Sequence, residues 1–205
     1  VMEAMRQDAL DEGIVINSGV KYLSRKGDEI KTSQGTYKAG YTINAAGLYA
    51  DKVAADFGFS RDYRILPFKG LYLYSNEPPH ALRTNIYPVP NLANPFLGVH
   101  FTLTVDGHAK IGPTAIPAFW REQYAGFDNF RWGELADITR RQLRLLVSSD
   151  FNFKRLAMDE IKKYSRARMV GLASSLVDGG SPDHYKKWGR PGIRAQLLNV
   201  KTKKA

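Results

Sequence analysis

The chain contains no cysteine. Disulfides, thiolate nucleophiles and cysteine-held metals are therefore excluded, and the composition suits a reducing cytoplasm. No apolar run approaches the roughly 18–20 residues that a membrane span requires. Membrane contact is expected to be at most peripheral, at the inner membrane. The opening Val1-Met2-Glu3-Ala4-Met5-Arg6 mixes charges of both signs with no long apolar block behind it, which is no signal-peptide pattern. Only four histidines are present, and no His/Asp/Glu spacing suggests a metal site. Internal repeats and low-complexity segments are absent as well.

What is present suffices for a core. Hydrophobic residues make up 43% of the 205, which allows one or two domains. The formal net charge is +10. Lysine and arginine are spread thinly from Lys21 to Lys187, and the dense cluster is the tail Lys201-Thr202-Lys203-Lys204. A nucleic-acid binder concentrates such charge on one face, often with stacking aromatics. None of its short signatures occurs, so no nucleic-acid partner is expected. An anionic substrate or an anionic lipid surface accounts for the charge.

Periodicity gives a coarse map. Residues 2–12 read as a helix with apolar Met2, Met5, Ala9 and Leu10, stopped by Gly13. Strands are predicted over 14–17, 19–25, 29–33 and 36–43, with a turn at Gly27-Asp28. Residues 48–57 read as a helix ending at Gly58. From Arg64 to Ile116 the chain turns β-branched and aromatic, predicting longer antiparallel strands at 64–74, 84–89, 96–104 and 108–115. Asp106-Gly107 would join the last two. Helical patterns follow at 132–148, 153–163 and 165–177, then a break at Gly179–Asp183 and a last strand from Gly192 to Asn199.

Two local patterns bear on ligands. Thr42-Ile43-Asn44-Ala45-Ala46-Gly47-Leu48-Tyr49-Ala50-Asp51 reads as a strand running through small residues into a helix. Such a turn lets a ligand approach the backbone and offers helix N–H groups to an anion. An ordinary tight turn would carry the same residues. Along 96–103, Leu97, Val99, Phe101 and Leu103 share one face and Phe96, Gly98, His100 and Thr102 the other, so His100 looks away from the densest apolar face. Phe68, Gly70, Tyr72 and Tyr74 likewise oppose Pro67, Lys69, Leu71 and Leu73. A sheet with one aromatic-polar face could roof a ligand cavity; a solvated face is the alternative.

Six ordered motifs carry a family resemblance. Thr42–Ala54 (TINAAGLYADKVA), Leu66–Tyr72 (LPFKGLY), Asn85–Pro90 (NIYPVP), Pro95–Thr102 (PFLGVHFT), Asp106–Phe119 (DGHAKIGPTAIPAF, followed by Arg121-Glu122) and Gly192–Gln196 (GIRAQ) are ordered and plausibly spaced. Together they resemble the L-2-hydroxyglutarate dehydrogenase/oxidase family, FAD-dependent enzymes of the D-amino-acid oxidase-like group. The family's strand–GxGxxG–helix unit, which holds the FAD pyrophosphate, has no counterpart here. Nor does the flavin-contacting segment that follows GIRAQ in the family. Lys69 stands where the family more often has Arg, and 174–190 fits its pattern poorly.

The resemblance implies oxidation of the C2 alcohol of a 2-hydroxy dicarboxylate at a flavin. Such a site needs a carboxylate grip, a proton acceptor and a positioned cofactor. Arg194 matches the Arg that clamps the substrate carboxylate in related flavin oxidases; a surface Arg on an edge strand is the alternative. His100 is the candidate base, because imidazole accepts a proton near neutrality, although a lone strand His is often structural. Tyr72 and Tyr87 are expected to line the cavity and bond substrate oxygens, with core or rim packing as the alternative. Ala45, Ala46 and Gly47 would pass the FAD pyrophosphate or ribityl chain, and the Val20 backbone would meet the adenine. Asp51 reads as a first-turn acid favoured by the helix dipole. His80, His108 and His184 sit in turn or loop contexts and are expected to be solvated.

The expected fold class is α+β. An incomplete FAD-binding, Rossmann-like portion (1–62 with 192–205) would accompany an antiparallel-sheet substrate-binding domain with helices (63–191). The expected function is a portion of an FAD-dependent oxidoreductase converting L-2-hydroxyglutarate to 2-oxoglutarate, with weak FAD binding and no turnover by this chain alone. A non-catalytic assembly module, half of a split enzyme, and a related amine or amino-acid oxidase are the alternatives. The strand ending at Ala46 would leave an open sheet edge, predicting self-association.

Overall fold

A short apolar strand is stable only beside a partner that takes up its N–H and C=O groups. In the computed structural model, which describes residues 1–89, 98–148, 158–160, 162–177 and 182–202, every such ladder is antiparallel. The chain divides into two units, Val1–Ala46 with Lys52–Arg61 and Gly47–Asp51 with Asp62–Ala205.

In the first unit, α1 (Met2–Asp11) ends as its pattern predicts. Gly13 adopts a φ of +79°, a left-handed conformation that glycine enters without strain. β1 (Tyr22–Lys26), β2 (Glu29–Thr32) and β3 (Gly35–Lys38) form a three-stranded meander. Its first turn falls at Gly27-Asp28, between the paired Lys26 and Glu29. The second is tied by the Thr32 hydroxyl, which donates to the Gly35 carbonyl at 2.8 Å. Tyr22 donates to Asp56 at 2.9 Å, and the Arg25 guanidinium lies 4.6 Å from the Phe57 ring centroid.

Two predicted strands of this unit differ. Residues 14–17 form no ladder, and β3 stops at Lys38 rather than running to 43. Both stretches have the apolar side chains of a strand flanked on each side, but no described strand lies beside them. Only the meander, which supplies its own partners, forms. Ile14, Val15, Tyr41 and Ile43 remain 56%, 80%, 86% and 82% exposed.

The second unit holds two sheets. β4 (Tyr63–Gly70) lies between β10 (Gly192–Asn199) and β8 (Ile116–Pro117). The other sheet has the order β6 (His100–Leu103), β7 (Ala109–Gly112), β5 (Leu73–Ser75), β9 (Tyr185–Trp188). The β10–β4 ladder runs eight residues, from Gly192 opposite Gly70 to Asn199 opposite Tyr63. That pairing places 192–199 in the second unit rather than with 1–62. α3 (Trp132–Ser148) occupies the predicted span and buries Leu145 against Leu66, Phe68 and Leu198. α4 (Arg166–Ser174) packs Met169, Val170 and Ala173 on Leu73, Val99, Phe101 and Ile111.

The predicted strand 64–74 breaks at Leu71-Tyr72, where the chain leaves one sheet for the other. The predicted strand 108–115 breaks beside it, at Pro113, which has no N–H for a ladder. Residues 84–89 make a single bridge, Ile86 to Phe101, because Asn85 turns its side chain to the Leu103 N–H and Pro88 interrupts. β9 is an edge strand with Lys186 and Lys187 at its centre, a composition that hides its pattern. Phe96, Leu97 and most of the predicted helix 153–163 lie outside the described residues.

Ile111 is fully buried in the core under the second sheet, whereas Leu197 is 48% exposed. Ile111→Ala is expected to lower stability by about 2–5 kcal/mol, and Leu197→Ala by less than about 1 kcal/mol. Urea unfolding with an unchanged slope would check both.

Candidate functional site

The turn that follows the small residues is held by a buried ion pair. Gly47–Tyr49 form one 3-10 turn leading into α2 (Ala50–Asp56). Asp51 is buried, and its carboxylate takes both terminal nitrogens of Arg121 at 2.8 and 2.9 Å. It also accepts the Ile65 N–H at 3.1 Å. Arg121 reaches the Leu48 carbonyl with the same guanidinium, and its backbone N–H donates to buried Glu134 at 3.1 Å. Tyr49 donates to Glu122 at 2.8 Å. Burial, the Glu122 acceptor and the Glu134 charge push the Tyr49 phenol up to about 12, so it stays a donor. Asp51 is thus more than a first-turn acid. Its partner was visible in the sequence only as the Arg121 that follows the DGHAKIGPTAIPAF motif.

The second sheet carries the other cluster. One face packs on α4; the opposite face carries His100 and Lys110 on β6 and β7, with Tyr72 and Tyr87. His100 faces Gly112 in the β6–β7 ladder, where paired residues point the same way. Gly112 leaves that place empty and the Tyr72 ring fills it: a methyl group on Gly112 would lie 2.7 Å from Tyr72 Cδ1 and 2.6 Å from the Leu71 carbonyl oxygen. The Tyr87 ring lies against the His100 imidazole, tilted by 32° with centroids 4.4 Å apart. Burial, with the Tyr87 and Tyr74 phenols close by, raises the Tyr72 phenol above its ordinary value.

His100 is itself buried rather than solvent-facing, although it does turn from the Phe101 side as expected. Its Nδ1 lies 2.9 Å from the Gly98 carbonyl. A carbonyl can only accept, so Nδ1 carries the proton and Nε2 the lone pair of the neutral ring. That is the arrangement a proton acceptor requires.

Arg194 sits on the other sheet, exposed and opposite Phe68. The two sheets meet nearby. Gly70 pairs with Gly192, and a methyl group on Gly70 would lie 3.8 Å from Tyr72 Cε2. Arg194 starts two residues, about 7 Å, along β10 from that pair. Gly192 has nothing within 4 Å of where a side chain would begin, so the space beside Arg194 is open. Thr114 closes the corner: its hydroxyl accepts the Leu71 N–H and donates to the Lys69 carbonyl, both at 3.0 Å. Burial lowers the Lys69 ammonium below its usual range, opposed by Asp128.

The expected cofactor residues lie on open backbone. Ala45 and Ala46 are exposed and Val20 is half-buried before β1. Gly47 has φ +53° and no atom within 4 Å of where a methyl group would stand, so a ligand can approach its backbone, and the residues present fit a cofactor chain in this respect. The Ala46 N–H is already taken by the Asn44 side chain at 3.2 Å. Asp51 supplies the negative charge that the start of α2 favours, as expected of a first-turn acid. The sequence reading missed Lys110, whose ammonium lies 4.5 Å from the Tyr72 ring centroid. Its alternation with Gly112 along β7 was the available signal.

Known proteins resemble the chain in sequence and in fold. The FAD dependent oxidoreductase family matches residues 1–182. The mitochondrial L-2-hydroxyglutarate dehydrogenase of Nematostella vectensis is 39% identical over 167 residues, 80% of this chain and 36% of that protein. The Homo sapiens mitochondrial enzyme of the same name is 40% identical over 177 residues, 85% and 36% of the two chains. An L-2-hydroxyglutarate dehydrogenase of Indibacter alkaliphilus is 45% identical over 176 residues, 83% and 42%. The chain thus spans about two fifths of the length of these relatives.

Crystal structures of glycine oxidase from Bacillus cereus and Geobacillus kaustophilus each superpose with a TM-score of 0.52, at 16% and 18% identity. They cover 95% and 92% of this chain, and 43% and 39% of theirs, which shows a shared fold. The expected cytoplasmic location is overturned by the mitochondrial relatives. A chain without cysteine is indifferent to redox poise, so its composition carries no address.

Tyr49 holds its proton more tightly folded than unfolded, since its phenol rises from 10.0 to about 12. The resulting stability is complete below pH 10 and is lost as pH climbs towards 12. Tyr49→Phe is expected to flatten the fall in urea midpoint across that window. The fall that remains should track Tyr22, which is raised to about 12 by burial and its bond to Asp56.

Proposed function

The chain belongs to the FAD-dependent oxidoreductase family, and from that premise we propose that it forms the substrate-binding part of an enzyme oxidising L-2-hydroxyglutarate to 2-oxoglutarate. The observation that carries the reading is the His100–Tyr87–Tyr72 cluster, joined through the Gly70–Gly192 pair to the strand of Arg194. Arg194 forks onto the substrate carboxylate beside C2. Nε2 of His100 takes the proton of the C2 hydroxyl as the ketone forms. Tyr72 and Tyr87 bond the substrate oxygens and hold the imidazole plane. FAD, when bound, supplies the two-electron acceptor for the hydrogen leaving C2. Val20, Ala45, Ala46 and Gly47 would hold it through open backbone. Relatives near 40% identity named for this dicarboxylate favour it over glycine.

A visible absorbance and fluorescence titration is expected to show weak FAD binding, with the flavin band shifted and quenched only at high FAD concentration. In calorimetry of the loaded chain, L-2-hydroxyglutarate should bind in preference to glycine. Arg194→Ala should weaken that binding about tenfold or more, matching the roughly 1.5–3 kcal/mol of a charge-assisted fork. Preference for glycine, or affinity indifferent to Arg194, would overturn the assignment.

The exposed Ile14, Val15, Tyr41 and Ile43 support a further part of the proposal, self-association through unpaired apolar chain in the first unit. Light scattering should give a mass that rises with concentration. Val15→Lys with Ile43→Lys should hold the chain monomeric. A wild-type mass fixed at 23.0 kDa would exclude the association.

A further inference from the structure

A dicarboxylate needs a second cation, and the aromatic-polar face of the second sheet contains one. Lys110 stands on β7 two residues before Gly112, on the face that carries His100 and Tyr72. It pairs with Thr102 on one side and Tyr74 on the other. Its ammonium lies 4.5 Å from the Tyr72 ring centroid, and the residue is only half-exposed. Among the described residues no carboxylate lies within ion-pair distance of it.

Among the described residues, the groups around Lys110 carry no compensating charge. Thr102 is uncharged, Tyr72 keeps its proton because burial raises its phenol, and Tyr87 and Tyr74 are phenols. This contrasts with Arg121, which meets Asp51 and Glu134, and with Lys163, which meets Glu160. A half-buried cation held against an aromatic face with no carboxylate partner is a place where an anion gains and a neutral group does not.

We propose that Lys110 is the specificity-determining residue that receives the distal carboxylate of the substrate, selecting 2-hydroxy dicarboxylates over 2-hydroxy monocarboxylates. The assignment rests on the reading that His100 and Arg194 serve a 2-hydroxy acid. Arg194 takes the carboxylate next to the reacting carbon and Lys110 the one at the far end. The Tyr72 ring, which contacts both the Gly70 corner and the Lys110 ammonium, spans the carbon chain between them. Lys110 stands in the middle of a short strand whose neighbours Ala109, Ile111 and Gly112 are all buried.

The test compares two ligands of equal carbon number, L-2-hydroxyglutarate and L-2-hydroxyvalerate, by calorimetry on the FAD-loaded chain. Lys110→Met is expected to weaken L-2-hydroxyglutarate about tenfold, the scale of one charge-assisted contact, and to leave L-2-hydroxyvalerate within about twofold. Lys110→Arg should restore the preference, and added salt should erode it in the wild type, because the contact is partly exposed. A purely structural role would lower both affinities together, or only the melting temperature, and would overturn the assignment. So would a Lys110→Met protein that keeps the wild-type preference. If the wild type binds neither hydroxy acid, the reading of the whole site falls with it. If it binds both equally, the hydroxy-acid reading stands and Lys110 alone is refuted. The side chain is half-exposed, so both variants are expected to fold, which circular dichroism checks.

Discussion

The Asp51–Arg121 pair is the interaction on which the second unit's site depends. A buried guanidinium is costly unless its donors are matched, and here they are shared among Asp51, the Leu48 carbonyl and Glu134. The same carboxylate takes the Ile65 N–H at the start of β4. Five residues, Gly47–Asp51, therefore belong to the unit of the two sheets while the chain on either side of them belongs to the other. The backbone that the family resemblance assigns to the flavin is thus positioned, at Gly47, by residues of the two-sheet unit. Removing either partner would strand a charge in the interior, so the pair specifies geometry more than it adds stability.

The second constraint is the corner where the sheets meet. β4 runs into β5 and β7 into β8, and both chains bend at the same level, around Gly70–Tyr72 and Gly112–Thr114. A bend interrupts the ladder, leaving backbone groups that must find other partners. One hydroxyl, that of Thr114, serves the Leu71 N–H and the Lys69 carbonyl. Glycines at 70 and 112 keep the corner free of side chains, and the Tyr72 ring occupies the room they leave. The residues proposed for recognition collect there because two sheets with different faces are brought edge to edge.

Much of this was legible beforehand, where local pattern and tertiary environment agree. α3 spans 132–148 and β10 spans 192–199, as their periodicities indicate. The opposition of Phe101 to His100 follows from strand alternation alone. The misreadings share a physical cause. Residues 14–17 and 42–43 have strand composition, yet a strand also needs neighbours. β9 is a strand despite two central lysines, because an edge position tolerates them. The split of 64–74 between two sheets arises from a bend at Leu71-Tyr72 that no period of two can reveal.

By itself the sequence determined the antiparallel, mixed character of the chain, the helix and strand periods, and the family, because these follow from local alternation and ordered motifs. Tertiary structure decided which charged groups are partnered. Asp51 meets Arg121 across seventy positions, whereas Lys110 meets an aromatic ring. It also decided that β10 lies beside β4, and that His100 is buried with its Nδ1 on a carbonyl. Each of these rests on contacts between residues remote in the chain, which composition and spacing do not encode and which only close packing selects.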